Sequence, residues 1–166
     1  KIPLPKTLKK ADKAMRALGL RKQSDELVVA MNRAAEAAMP EAKAVLVDAV
    51  KKMTVQDAAS ILSGPDDAAT QYFKRTSTPQ LREKLLPIIE RTTGKVEVAK
   101  KYNALAGRLG DAGLIKPGKA SIESYVTDKA LDGLFLMIAK EEAAIRKNPL
   151  GQASSILKKV FGSLGK

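Results

Sequence analysis

The sequence predicts an all-α fold, a compact multi-helix bundle of about eight or nine helices around a central apolar helix at about 127–147. Three observations predict it. Apolar residues recur at three- and four-residue spacing through most of the 166 residues. Aromatics make up only 4% of a chain that is 45% hydrophobic, so Ala, Leu, Val and Ile must build the core; this suits close helix packing, and Ala is the best helix former. No stretch shows the sustained β-branched alternation of a strand. The length fits a single domain, 1–166, with enough chain to bury a core.

The elements follow in chain order. Pro5 suits the first turn of a helix carrying Leu8, Met15 and Leu18, with Gly19 as its cap. Ser24 reads as the N-cap of a second helix through Leu27, Met31, Ala34 and Ala38, closed by Pro40. A third runs from about Glu41 to Met53. Thr54 and Asp57 form a capping-box pattern for a short helix ending near Leu62, and Ser63-Gly64-Pro65 turns the chain. Asp66 or Asp67 is expected to cap the helix carrying Ala68 to Phe73. Thr78-Pro79 reads as cap and first residue of the next, in which Pro87 should kink or split the helix. Gly94 separates that segment from residues 96–110, and 109–121 is a Gly-rich loop.

The central helix follows at Thr127 to Lys147. Leu131, Leu134, Phe135, Ile138 and Ile145 share one stripe, while Leu136 and Met137 fall on other flanks. A segment apolar nearly all round calls for partners on every side. Asn148-Pro149 and Gly151 then break the chain before an amphipathic segment, Ser154 to Leu164, carrying Ile156, Leu157, Val160 and Phe161.

Composition excludes whole chemistries. With no Cys and no His, thiol and imidazole catalysis and zinc, haem or iron–sulfur ligation are removed. No cofactor is expected; oxygen ligation of Ca²⁺, Mg²⁺ or Mn²⁺ is the metal chemistry left open, with Ca²⁺ or Mg²⁺ as the candidates. The net charge is +12, and residues 1–22 carry eight basic residues against one Asp, hence +7. Such a surface attracts anionic lipid, nucleic acid or polyanions. No apolar run reaches the roughly 18–20 residues of a transmembrane span. The chain starts at Lys1 rather than Met, so an upstream segment is expected.

Three strings occur together: MNRAAEAAMPEAK at 31–43, GPDDAATQYF at 64–73 and YVTDKALDGLFLMIAKEEAAIRKNP at 125–149. With the opening IPLPKTLKKADKAMRALGL and the closing ILKKVFG, they resemble the bacterial domain-of-unknown-function family 4197 over nearly the whole chain. The resemblance implies an exported, periplasmic or envelope-associated protein whose export segment lies ahead of this chain. It brings no reaction and no catalytic residues.

Four groups of residues are candidate sites. Asp66 and Asp67, with Thr70 and Gln71 one turn on, offer oxygens to a hard cation, or else serve the helix start. Asn32, Arg33 and Glu36 lie among alanines and read as pocket-lining groups or a structural network. On the central helix, Lys129, Asp132, Glu141, Glu142 and Arg146 form the third group. Glu142 lies on the apolar stripe, four residues before Arg146; it is either an ion-paired structural carboxylate or one with a raised pKa fit for acid–base work. Lys6, Lys9, Lys10, Lys13 and Arg16 make a basic face, either solvated or set against anionic lipid, with no aromatic to insert or to stack on bases.

The reading is a non-enzymatic envelope binding or scaffold protein, with an anionic surface, another protein or a small ligand as partner. A carboxylate-dependent, metal-assisted hydrolase is the alternative and requires Asp66, Asp67 and Glu142 to converge on one cleft. A nucleic-acid or polyanion binder is the third reading, and an exported location disfavours nucleic acid.

Overall fold

The computed structural model describes residues 1–6, 9, 12, 21–111 and 121–148, with the side chains of 105–111 excepted. Five helices lie in these residues: α1 Arg21–Lys51, α2 Val55–Ser63, α3 Ala68–Thr93, α4 Glu97–Asp111 and α5 Ile122–Lys147. No strand occurs among the described residues, so the all-α class holds. Among the described residues the count is five rather than eight or nine. The expected helix at 154–164 and most of the one after Pro5 lie outside the described residues. Lys6, Lys9 and Asp12 are helical, and the Lys9 N–H donates to the Pro5 carbonyl at 3.1 Å.

The lower count has a physical cause in proline. Pro40 lies within α1, and Pro79 and Pro87 lie within α3. Each removes one backbone bond and crowds the carbonyl four residues back, at about 3 kcal/mol in a helix interior. All three rings face solvent, where water can serve the freed carbonyls. Ala38 and Ala42 on either side of Pro40 are fully buried, and so are Leu81, Leu85 and Ile89 around Pro87. Packing on the inner face therefore carries both helices through prolines that would end an isolated helix. For the same reason Thr78 is inside α3 and does not cap it.

Ser24 is corrected as well. The chain is already helical at Arg21, and Ser24 is buried on the inner face of α1, where its hydroxyl donates to the Asp12 carboxylate. Thr54 and Asp57 do form the capping box: the Asp57 N–H donates to Thr54 Oγ1 at 3.1 Å and the Thr54 N–H to Asp57 Oδ2 at 3.0 Å. Gly64 makes the corner after α2. A Cβ there would sit 2.7 Å from the Ser60 carbonyl oxygen and 2.8 Å from Ala68 Cβ, so only glycine lets the chain turn this tightly.

The core is an alanine-lined face laid on a leucine-rich one. Along α1 the buried stripe is Met31, Ala34, Ala38, Ala42 and Val45. The most extensive packing among the described residues is between α1 and α3, which supplies Leu81, Leu85 and Ile89. On its other sides α3 carries α5 and α2, so among the described residues α3 rather than α5 is the central helix. On α5, Ile122, Val126, Ala130, Leu131 and Phe135 are buried, but Leu136 and Met137 are 57% and 54% exposed. Among the described residues the apolar middle of α5 thus has partners on one side only. Helix α5 also begins five residues before Thr127, capped by Ser121, whose Oγ accepts from the Ser124 N–H at 3.1 Å.

Truncation and overpacking of this core are both expected to show in urea denaturation. Leu85→Ala should cost about 2–5 kcal/mol, and Ala38→Leu should cost about 1–3 kcal/mol by forcing α1 off α3. A neutral Ala38→Leu would contradict the close approach.

Candidate functional site

The first turn of any α-helix leaves N–H groups without helical partners, and the last leaves carbonyls. At the start of α3, Asp67 occupies the N-cap position but its side chain makes no capping bond; Asp67 Oδ2 instead accepts from Gln71 Nε2 at 2.9 Å. The carboxylate that serves α3 comes from 73 residues further along the chain. Glu142 of α5 accepts from the Ala69 N–H at 2.8 Å through Oε1, and through Oε2 from the Thr70 N–H at 2.8 Å and the Thr70 hydroxyl at 2.7 Å. The expected capping by Asp66 or Asp67 is therefore replaced by a tertiary cap. A short side chain at the N-cap acts only within its own turn, whereas a helix packed alongside can bring a carboxylate onto several N–H groups at once.

Arg146, one turn after Glu142, completes the arrangement. Its Nε and Nη2 donate to Glu142 Oε1 at 3.1 and 2.8 Å, and Nη2 also donates to the Ile61 carbonyl at 2.9 Å. Ile61 lies in the last turn of α2. One ion pair on α5 thus places a negative charge at the start of α3 and a positive charge at the end of α2, which is the sign each helix dipole favours. Glu142 is 7% exposed. Burial pushes its pKa up, but the bonds from the Ala69 N–H, the Thr70 hydroxyl, Arg146 and the Thr70 N–H outweigh it and hold the carboxyl below its ordinary value. This direction is opposite to the raised pKa of an acid–base group, and Glu142 is ion-paired with Arg146 at 2.8 Å.

Beside this clamp is an apolar groove of about 460 Å³, walled by Ile61 and Leu62 of α2, Phe73 of α3, and Met137, Ile138 and Ile145 of α5. Leu62 is 81% exposed, and Glu141 stands at the rim. Short α2 buries no residue fully, so its apolar side is spent on the groove wall.

A second cluster surrounds Asn32. Its Oδ1 accepts from the Ile2 N–H at 2.7 Å, and its Nδ2 donates to the carbonyls of Ile2 at 3.1 Å and Val28 at 2.8 Å. Tyr125 of α5 donates to the Pro3 carbonyl at 2.9 Å, and Ile2 and Leu4 join the core. The leading segment is therefore strapped across α1 and α5 by its backbone. Arg33 and Glu36 do not join this network. They are exposed and border an open depression of about 680 Å³.

Sequence reasoning missed a third cluster. Glu123 is buried at the start of α5 and accepts from Thr93 Oγ1 at 2.9 Å and Asn103 Nδ2 at 2.7 Å, while the Ile122 N–H donates to Asn103 Oδ1 at 2.9 Å. This joins the end of α3 to α4 and α5. The available signal was the stripe Glu123, Thr127, Ala130, Leu131, which a helix begun at Thr127 cannot show.

The remaining candidates are dispersed. Lys129 and Asp132 pair on the surface at 2.8 Å, and Asp128 pairs with Arg82 across α5 and α3. Asp66 is exposed, and Thr70 turns its hydroxyl to Glu142. Among the described residues no three acidic side chains gather as a metal site. Lys6 and Lys9 are exposed; Lys10, Lys13 and Arg16 lie outside the described residues. No described helix is long and apolar enough to cross a membrane.

Against known families, the profile described as protein of unknown function (DUF4197) matches residues 1–162. The chain belongs to DUF4197. It matches no curated protein and no solved structure. The clamp, the strap and the groove all fall within the part matched to DUF4197, and the family description assigns none of them a role.

Two outcomes are expected of this geometry. Glu142→Ala leaves Arg146 without its partner and α3 without its cap, at a cost of about 3–5 kcal/mol. The folded-state pKa of Glu142 lies below the unfolded value of 4.5, so its contribution is complete above about pH 4.5 and is lost as the pH falls through the folded-state value. Urea denaturation of the wild type and Glu142→Gln from pH 7 to pH 3 should show a stability gap that closes in acid. Separately, Asn32→Ala should cost about 1–3 kcal/mol and speed hydrogen exchange at the Ile2 amide. An Ile2 amide protected to the same degree in the variant would show that Asn32 does not hold the strap.

Proposed function

We propose that this DUF4197 chain is a non-enzymatic binding or scaffold protein of the bacterial envelope, and that its working surface is the apolar groove between α2, α3 and α5. The observation that carries this reading is the pairing of an open apolar groove with a saturated carboxylate. Both oxygens of Glu142 are occupied by backbone, hydroxyl and guanidinium donors, leaving neither as a free base, while Leu62, Met137 and Ile145 beside it remain exposed. Apolar side chains gathered in a concave surface and left to water favour an apolar or amphipathic partner. The envelope location rests on the sequence resemblance alone. The net charge of +12 fits a protein working near anionic surfaces.

A thermal-shift panel at low and moderate salt tests this reading. Its components are an amphipathic detergent below its micelle concentration, Ca²⁺, Mg²⁺, Mn²⁺, small anionic metabolites, anionic lipid and a polyanion. A compound that binds only the folded state raises the apparent midpoint. Stabilisation by the amphiphile that survives salt, and that Met137→Glu abolishes, is the expected result. Stabilisation by a divalent cation alone would favour the metal-assisted hydrolase. Stabilisation by polyanion alone, lost as salt rises, would move the working surface from the groove to the basic face.

A further inference from the structure

Among the described residues eight large apolar side chains are exposed, and seven of them lie at one end of the molecule. Val47 and Val50 are in the last turns of α1, Val55 and Leu62 are on α2, and Leu136, Met137 and Ile145 are in the second half of α5; only Val29 lies elsewhere. Specific contacts bring these elements together. Arg146 of α5 holds the Ile61 carbonyl of α2, Glu142 holds the start of α3, and the Tyr72 hydroxyl of α3 lies 3.5 Å from the Ala49 carbonyl of α1. Apolar residues scattered singly over a surface call for no explanation, but their segregation to one end does.

An open apolar groove of about 350 Å³ lies between α1 and α5, lined by Met39, Leu46, Val47, Val50 and Leu134. The groove beside the clamp starts one turn further along α5, at Met137 and Ile138. Leu134 precedes them by three and four residues, on the same side of the helix. The two grooves therefore join into one apolar face that runs from α1 across α5 to α2.

The border of this face is mainly cationic. Lys43 and Lys51 stand one turn before and one turn after Val47, and Lys140 stands one turn after Met137. All three are exposed, and none has an acidic partner among the described residues. Asp48 is taken by Lys52 at 2.7 Å. Glu141 is exposed on the rim, and Asp66 and Asp67 lie at the α2–α3 corner, outside the lining of both grooves. A lysine stem lies along apolar surface while its ammonium reaches outward. An apolar centre within a cationic border matches, in that order, the acyl and headgroup layers of an anionic bilayer. A protein partner would need polar groups to fix its register. Among the described residues the two grooves offer only Lys43, Glu141 and the already saturated Glu142 and Arg146.

We infer that this face docks the protein on an anionic lipid bilayer, with Val47, Val50, Leu62, Met137 and Ile145 at the acyl boundary and Lys43, Lys51 and Lys140 at the headgroups. The inference deepens the proposed function and rests on it: the α2 groove is one half of the face, and its apolar partner is lipid.

The chain has no cysteine, so single-cysteine variants of the full chain carry an environment-sensitive fluorophore at one chosen position. Val50→Cys and Met137→Cys on the face, and Val29→Cys away from it, are labelled and mixed with vesicles of equal parts phosphatidylglycerol and phosphatidylcholine. The labels at positions 50 and 137 should shift to the blue on binding, and the label at position 29 should not. The variant Lys43→Ala/Lys51→Ala/Lys140→Ala should lower vesicle partitioning by about 100-fold, at about fivefold for each lysine. The variant Lys22→Ala/Lys95→Ala/Lys100→Ala removes the same charge near the start of α1 and the α3–α4 corner. Those lysines would stand beyond the screening length of the bilayer, so partitioning should stay close to wild type. Binding with the labels at positions 50 and 137 unshifted, or equal losses from the two triple variants, would overturn the inference and assign binding to basic residues elsewhere on the chain. No binding to the vesicles would overturn it as well. In that case the proposed function still stands if the amphiphile of the thermal-shift panel raises the midpoint of the same protein, and falls with the inference if it does not.

Discussion

The Glu142–Arg146 pair is the interaction on which the geometry of this end of the molecule depends. Helices α2 and α3 meet at a corner forced tight by Gly64, and that corner brings together a helix end with unsatisfied carbonyls and a helix start with unsatisfied N–H groups. Left to water, each set would be served individually. Buried against α5, they require a charged partner of the right sign at each position. One carboxylate and one guanidinium, a single turn apart on α5, meet both demands while neutralising one another. Burying charges is costly, and the arrangement is favourable only because every oxygen of Glu142 is bonded.

The same logic recurs at the other end of α5. Glu123 sits nineteen residues before Glu142 on the buried side of the helix and gathers Thr93 from the end of α3 and Asn103 from α4. Helix α5 is thus fixed to its neighbours by a carboxylate near each end and by Leu131 and Phe135 between them. This is a device for orientation more than for net stability. Apolar contact is indifferent to small rotations, whereas a carboxylate that must meet two N–H groups at 2.8 Å sets both rotation and register. A consequence is that the apolar outer side of α5 is held in a fixed position facing water, which is what makes the groove beside α2 a defined surface rather than a transient one.

Much of the fold was legible. Periodicity and composition led to helices, and the capping box at Thr54, the corner at Ser63-Gly64-Pro65 and the pairing of Glu142 with Arg146 are local enough to be read from spacing. The errors in dividing the long helices share one cause. Pro40, Pro79 and Pro87 are strong local breakers, but each ring points outward from a helix whose inner face is fully engaged. Reading Pro40 as an end and Pro79 as a start divided two long helices into four, and Pro87 was expected to kink or split the last of them. Met137 was expected to meet a partner because the segment around it is apolar nearly all round, yet the described residues pack against only one side of α5. Asn32 was recognisable as a polar residue among alanines, but that it grips the backbone of Ile2, thirty residues away, carries no sequence pattern, since backbone groups are the same at every residue.

The sequence alone therefore determined the class of structure, the chemistries closed to a chain without Cys or His, and the family, because periodicity, composition and long unusual strings are properties of the chain itself. Only the tertiary structure decided which helices are continuous, which helix is central, and which carboxylates are occupied. Those questions turn on how helix ends and solvent faces are satisfied, and their partners here come from residues up to 85 positions away in the chain.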